Sequence, residues 1–178
     1  VLIKGYKKNL DKNIDENNIH EIISFYEHNG KYDKLYFAFK KIRESNIFNN
    51  LSKKLTKLGN GILEKKTKLI NSGYAIGISG SKRTAYEWHQ EKPYYENSNT
   101  LHFQFPIMNP LNKKNGTMSV LSGSHKGGFI TNVTNKKNSN KSVNSFIPKN
   151  IKNLKSKHTE KHFNMGLKDI AVFDENLV

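Results

Sequence analysis

The chain contains no cysteine, which excludes a disulfide framework and any thiolate metal site. No apolar run approaches the length of a membrane span, and no signal-peptide pattern opens the chain. The composition therefore predicts a cytoplasmic protein with no membrane partner. Arginine is nearly missing: Arg43 and Arg83 stand among 30 basic residues that are otherwise lysine. Acidic residues are also few, so the net charge is +15. Such a charge invites a nucleic-acid reading. However, a phosphate-reading surface favours arginine, which grips phosphate with two parallel hydrogen bonds. The lysines here are scattered among many Asn and Ile, residues that share A/T-rich codons. The charge is read as a solvated surface, with no nucleic-acid partner.

A length of 178 residues suits one domain with a real core. Residues 14–29 carry Ile19, Ile22, Ile23 and Tyr26 at helical spacing, with Asp15 as N-cap and Asn29-Gly30 as the stop. Tyr32, Leu35, Tyr36, Phe39 and Ile42 predict a second helix. Ile47, Leu51, Leu55 and Leu58 predict a third, closed by Gly59-Asn60-Gly61. Beyond residue 62 the period changes to that of strands. Tyr74, Ile76 and Ile78 alternate, as do Leu101, Phe103, Phe105 and Ile107, with His102 and Gln104 on the opposite face. Asn115-Gly116 marks a turn, Thr117 to Ser122 a short strand, Ser122 to Gly128 a glycine-rich loop, and Asp169 to Phe173 a last strand. Residues 131–161, rich in Lys, Asn and Ser, read as a long mobile insertion. The expected class is α+β: one domain, with 1–62 helical and backing a β-rich core over 63–178.

Within this pattern, Thr84 to Glu91 reads as a strand. His89 and Glu91 then share a face with Glu87 and Ala85, while Trp88 and Gln90 point the other way. One imidazole and one carboxylate on one face are two members of the 2-His-1-carboxylate triad of non-haem Fe(II). They are equally the makings of an ordinary polar face with an internal hydrogen bond.

Three blocks, in order, decide between these. They are Ser81-Lys82-Arg83-Thr84-Ala85-Tyr86-Glu87-Trp88-His89-Gln90-Glu91, then Asn115-Gly116-Thr117-Met118-Ser119-Val120-Leu121-Ser122-Gly123-Ser124-His125-Lys126-Gly127, then Gly166-Leu167-Lys168-Asp169-Ile170-Ala171-Val172-Phe173-Asp174-Glu175-Asn176-Leu177-Val178. Together they resemble the phytanoyl-CoA dioxygenase family of Fe(II)/2-oxoglutarate-dependent oxygenases, over about residues 66–178. The resemblance implies a double-stranded β-helix (a cupin-like jelly roll) with Fe(II) at its mouth and 2-oxoglutarate as cosubstrate. His89 and Glu91 match the first two metal ligands, Glu91 standing where the family usually has Asp. Gln90 and Phe105 match positions near the cosubstrate. The third ligand, a histidine, and the arginine that holds 2-oxoglutarate are expected beyond Val178, so the chain reads as a fragment. It opens on Val1, so its natural start is expected upstream. His158 and His162 precede the last strand and do not match. His125 reads as a loop-fixing residue and His102 as structural or exposed.

The implied activity is hydroxylation of a small organic substrate, with 2-oxoglutarate oxidatively decarboxylated to succinate. A carboxylate retained at Glu91 favours hydroxylation over halogenation. The lysines of 131–161 could attract an anionic substrate, and biased base composition accounts for them equally well. The alternative is a catalytically inactive jelly-roll binding module that lacks the complete triad.

Overall fold

The structure, a computed structural model, describes residues 2–70, 87–94, 99–106, 109–134 and 146–178. The expected alternation at Tyr74, Ile76 and Ile78, and the start of the first block, lie outside the described residues. The chain divides into two compact units, Val1–Ser81 and Lys82–Val178. The first is helical and the second carries antiparallel strands, so the class is α+β.

The first unit contains α1 (Leu2–Asn9), α2 (Ile19–His28), α3 (Tyr32–Arg43) and α4 (Asn46–Leu63). Helix α1 was not expected from periodicity. It exists because Gly5 lets it lie close on α3: a Cβ at Gly5 would fall inside the Ile42 side chain. Tyr6 is buried beside it. The α2 reading is shortened at its start. Asp15 caps a turn rather than the helix, its Oδ1 accepting from the Asn17 and Asn18 amides while Asn18 Oδ1 accepts from the Asp15 amide. Ile14 and Ile19 are fully buried around that turn, each contributing about 1.5–3 kcal/mol of apolar burial.

The core stripe of α3 is rotated from the expected one. Leu35, Ala38 and Ile42 are buried, whereas Tyr36 is 67% exposed. At the close approach of α1, the α3 side chain met by Gly5 is Ile42. Helix α4 starts at Ser45, whose Oγ accepts from the Phe48 amide. It does not stop at Gly59-Asn60-Gly61 but runs to Leu63 and ends on Glu64 at φ 50°. Asn60 is held inside the helix by its tie to Thr67, both the Thr67 amide and hydroxyl donating to Oδ1 at 2.6 Å.

The second unit has β1 (Leu101–Gln104), β2 (Ser119–Leu121), β3 (Asn132–Thr134), β4 (Phe146–Pro148), α5 (Ile151–Lys157), β5 (Glu160–His162) and β6 (Ala171–Asp174). Its topology is nested: β1 pairs with β6, β2 with β5 and β3 with β4, all antiparallel. The Leu111–Met165 bridge falls in sequence between the outer and middle pairs. The strand pairs of the second unit thus lie in sequence one inside the next. Among the described residues the sheets do not close into a barrel.

Two readings are corrected here. Residues 131–161 are not an irregular insertion: they supply β3, β4, α5 and β5, although 135–145 lie outside the described residues. Their apolar residues, among them Val133, Ile147, Ile151 and Leu154, are too thinly spread among Lys and Asn to show a period. Residues 87–91 are not a strand. Pro93, in the helical turn Lys92–Tyr94 that follows, has no N–H to give a ladder. The segment is fastened instead by the Lys92 amide to the Glu175 carbonyl (3.0 Å) and by the side chain of Gln90.

Candidate metal site

Although 87–91 is not a strand, His89 and Glu91 do face each other. His89 Nε2 lies 3.3 Å from Glu91 Oε1, both side chains about a quarter exposed. On the other side of the ring, His89 Nδ1 is 2.6 Å from the Glu87 carbonyl. A carbonyl only accepts, so Nδ1 carries the hydrogen. In the neutral ring, Nε2 is then a lone pair directed at a carboxylate. Two acceptors cannot face each other at this distance without a cation between them. Either a proton fills the gap, making an imidazolium–carboxylate pair, or a metal ion does.

The electrostatics agree with this geometry. Burial alone would lower the His89 pKa. The hydrogen bonds to Glu91 and to the Glu87 carbonyl, with the charge of Glu91, outweigh it and raise the value above the ordinary histidine range. Burial would raise Glu91, but the His89 hydrogen bond and the charges of His89 and His102 hold it lower.

A metal fits the same pair. A histidine nitrogen and a carboxylate oxygen, each about 2.1 Å from one ion at right angles, are about 3.0 Å apart, close to the 3.3 Å observed. An Nδ1–H fixed by a backbone carbonyl is also the arrangement that orients metal-binding histidines. The extra methylene of Glu91 lets its carboxylate turn back to this position from an irregular segment. Among the described residues, no group of three or more His, Asp or Glu side chains gathers around one point as a metal site. The pair could supply two ligands to such an ion.

Gln90, between them, is fully buried. Its Nε2 donates to the Asn176 carbonyl (2.6 Å) and the Gly128 carbonyl (3.0 Å), and its Oε1 accepts from the Ile130 amide (2.9 Å). Phe105 is half-buried just past the end of β1. Trp88 lies under the Lys155 ammonium of α5, 4.3 Å from the ring centroid. His125 is exposed in the turn Ser124–Gly127. His158 Nδ1 sits against the Ser122 carbonyl, and His162 Nδ1 is 2.6 Å from Ser119 Oγ across the β2–β5 pair.

Periodicity and motif together missed the network beside the pair. Glu175 is buried, and its Oε1 accepts from Lys92 Nζ at 2.7 Å. Its Oε2 accepts from the Thr100 amide (2.7 Å) and hydroxyl (2.6 Å). Burial would raise the Glu175 pKa, but the Lys92 and Thr100 donors hold it below the ordinary range. Thr100 spends its hydroxyl hydrogen on this carboxylate, so its oxygen accepts from His102 Nε2 at 3.0 Å. His102 stacks on its cross-strand partner Phe173, ring centroids 5.3 Å apart. Burial lowers its pKa, against the opposing charges of Glu91, Glu175 and Asp174. The Asp174-Glu175 pair at the end of the third block was the available signal, since two adjacent carboxylates closing a strand need donors. The chain's last residue joins the same corner: the Val178 amide donates to Ser124 Oγ (3.0 Å), and its carbonyl accepts from Leu121 (2.7 Å).

No protein-family model matches the chain, and no curated protein or solved structure shows significant similarity to it. Among the described residues, no helix is long and apolar enough to cross a membrane.

Proposed function

We propose that the chain is the metal-binding part of an Fe(II)/2-oxoglutarate-dependent dioxygenase that hydroxylates a small organic substrate. The observation that carries this reading is the His89–Glu91 pair, with Nδ1–H committed to a carbonyl and Nε2 aimed at a carboxylate 3.3 Å away. The nested strand pairing supports a double-stranded β-helix, since rolling up one long hairpin is how a jelly roll is made. It is also the pairing expected if the three motif blocks resemble the phytanoyl-CoA dioxygenase family.

In this reading His89 and Glu91 would hold the metal, as two of the three protein ligands such a centre takes. The chemistry supplied by bound Fe(II) and 2-oxoglutarate is activation of O₂, with 2-oxoglutarate converted to succinate and CO₂ as a substrate C–H is hydroxylated. The chain's own part is geometric and electrostatic. The Glu87 carbonyl fixes the tautomer and ring plane of His89, presenting Nε2 as the donor. Glu91 neutralises part of the dication's charge. Half-burial of both side chains would limit water at a bound ion.

A second reading, an inactive jelly-roll binding module, is favoured by one observation: no third ligand joins the pair among the described residues. Anaerobic addition of Fe(II) and then 2-oxoglutarate tests both, read by the visible charge-transfer absorption of a chelated keto acid. The oxygenase reading expects the band in the wild type and its loss in His89→Ala. A chain without the band, alone and when extended past Val178, would establish the inactive module.

A further inference from the structure

The segment that carries His89 and Glu91 has no ladder of its own, yet its two side chains meet at 3.3 Å. Something else must hold its backbone, and the residue between them is the one placed to do so. We propose that Gln90 is a positioning residue, whose buried carboxamide stands in for a missing peptide group and fixes His89 and Glu91 at ligand spacing.

The geometry has three parts. Both amide hydrogens of Gln90 are given to carbonyls on different stretches, Gly128 in the glycine-rich loop and Asn176 after β6. Its carbonyl oxygen takes the Ile130 N–H, two residues beyond Gly128. A peptide unit in a central strand does the same: it donates to one neighbour and accepts from another. Here one side chain ties the glycine-rich loop and the third block's end to the end of the first block. With zero exposure, the amide is sealed from solutes. A cosubstrate carboxylate would need donors, and both donors are already committed. Contacts that fix a ligand's orientation tune metal affinity by about 10–100-fold; Gln90 would do so through the backbone it shares with His89 and Glu91.

This inference rests on the metal reading, and the experiment separates the two. Co(II) alone is titrated into the full chain, with affinity and the d–d spectrum recorded for wild type, His89→Ala, Gln90→Glu and Ile130→Pro. Gln90→Glu keeps the shape but sets a carboxylate oxygen against the Gly128 and Asn176 carbonyls. Ile130→Pro removes the N–H that Gln90 Oε1 accepts and leaves Gln90 itself intact, so it carries the test should Gln90→Glu fail to fold. Circular dichroism and Trp88 fluorescence establish folding. The expected result is wild-type binding that His89→Ala abolishes, and about 10–100-fold weaker binding with an altered spectrum in folded Gln90→Glu. Ile130→Pro should weaken binding in the same direction. Unchanged Co(II) affinity in folded variants, with only the 2-oxoglutarate requirement raised, would overturn positioning and make Gln90 a cosubstrate contact. Absence of Co(II) binding in the wild type would overturn the metal reading itself, and this inference with it.

Discussion

Removing the charge of Glu175 should cost more stability than any surface change in the second unit. Its carboxylate is only 4% exposed and accepts from Lys92 Nζ, 2.7 Å away, whose side chain is 22% exposed. Two Thr100 donors complete its shell. Breaking a buried ion pair from one side costs about 3–5 kcal/mol. Partial solvation of Lys92 and the surviving Thr100 bonds reduce this for Glu175→Gln to about 2–3 kcal/mol. A unit of this size moves its melting point by about 4–8 °C per kcal/mol, so the midpoint should fall by roughly 10–20 °C. Urea denaturation followed by Trp88, the single tryptophan, reports the second unit directly. A double-mutant cycle with Lys92→Met should give a coupling of about 1.5–2.5 kcal/mol. A coupling below about 0.5 kcal/mol would refute the claim that the pair acts as a unit. The acid limb gives a second check. The folded pKa of Glu175 is below its unfolded value, so its contribution is complete above the ordinary glutamate range and is lost as pH falls through the depressed value. Glu175→Gln should flatten that limb.

Two further outcomes follow from other parts of the molecule. Gly5→Ala should destabilise the helical unit by about 1–2 kcal/mol in thermal unfolding, because overpacking against Ile42 exceeds the gain in helix propensity; a neutral or stabilising change would mean that α1 does not lie on α3 as described. Metal binding must displace the Nε2 proton of His89, whose pKa is raised. Co(II) affinity should therefore climb by up to about tenfold per pH unit below that value and level off above it. The apo pair behaves oppositely: its stabilising contribution is present below the ordinary histidine range and is lost as pH rises through the raised folded value. A Co(II) affinity independent of pH between about 6 and 8 would contradict the proton displacement.

The sequence revealed the kinds of element better than their ends or faces. Helices α2, α3 and α4 were legible because long runs repeat at 3.6 residues, but the buried face of α3 was not. Tyr36 lies exposed and Ala38 buried, a choice between neighbouring faces that helical periodicity alone does not make. Strands β1, β2 and β6 were legible from alternation and turns. The 131–161 elements were hidden because their apolar residues are sparse and their partners lie far away in sequence. For the candidate site, His89 and Glu91 face each other as expected, but for a different reason from strand alternation: the Glu87 carbonyl and Gln90 hold an irregular segment. Thr100 and Lys92 carry no motif, and only contact in three dimensions joins them to Glu175, more than seventy positions away.

The nested pairing also sets an order of assembly. The innermost pair, β3 with β4, closes the shortest loop, whereas β1 must find β6 across most of the second unit. Closure entropy grows with the intervening length, and contacts of such separation slow folding. The zipper therefore runs outward, and the last tooth is the corner where Lys92, Thr100 and Glu175 meet beside His89 and Glu91. A cation bound across the pair would act as a clasp on the open end, slowing the unzipping of the strands behind it.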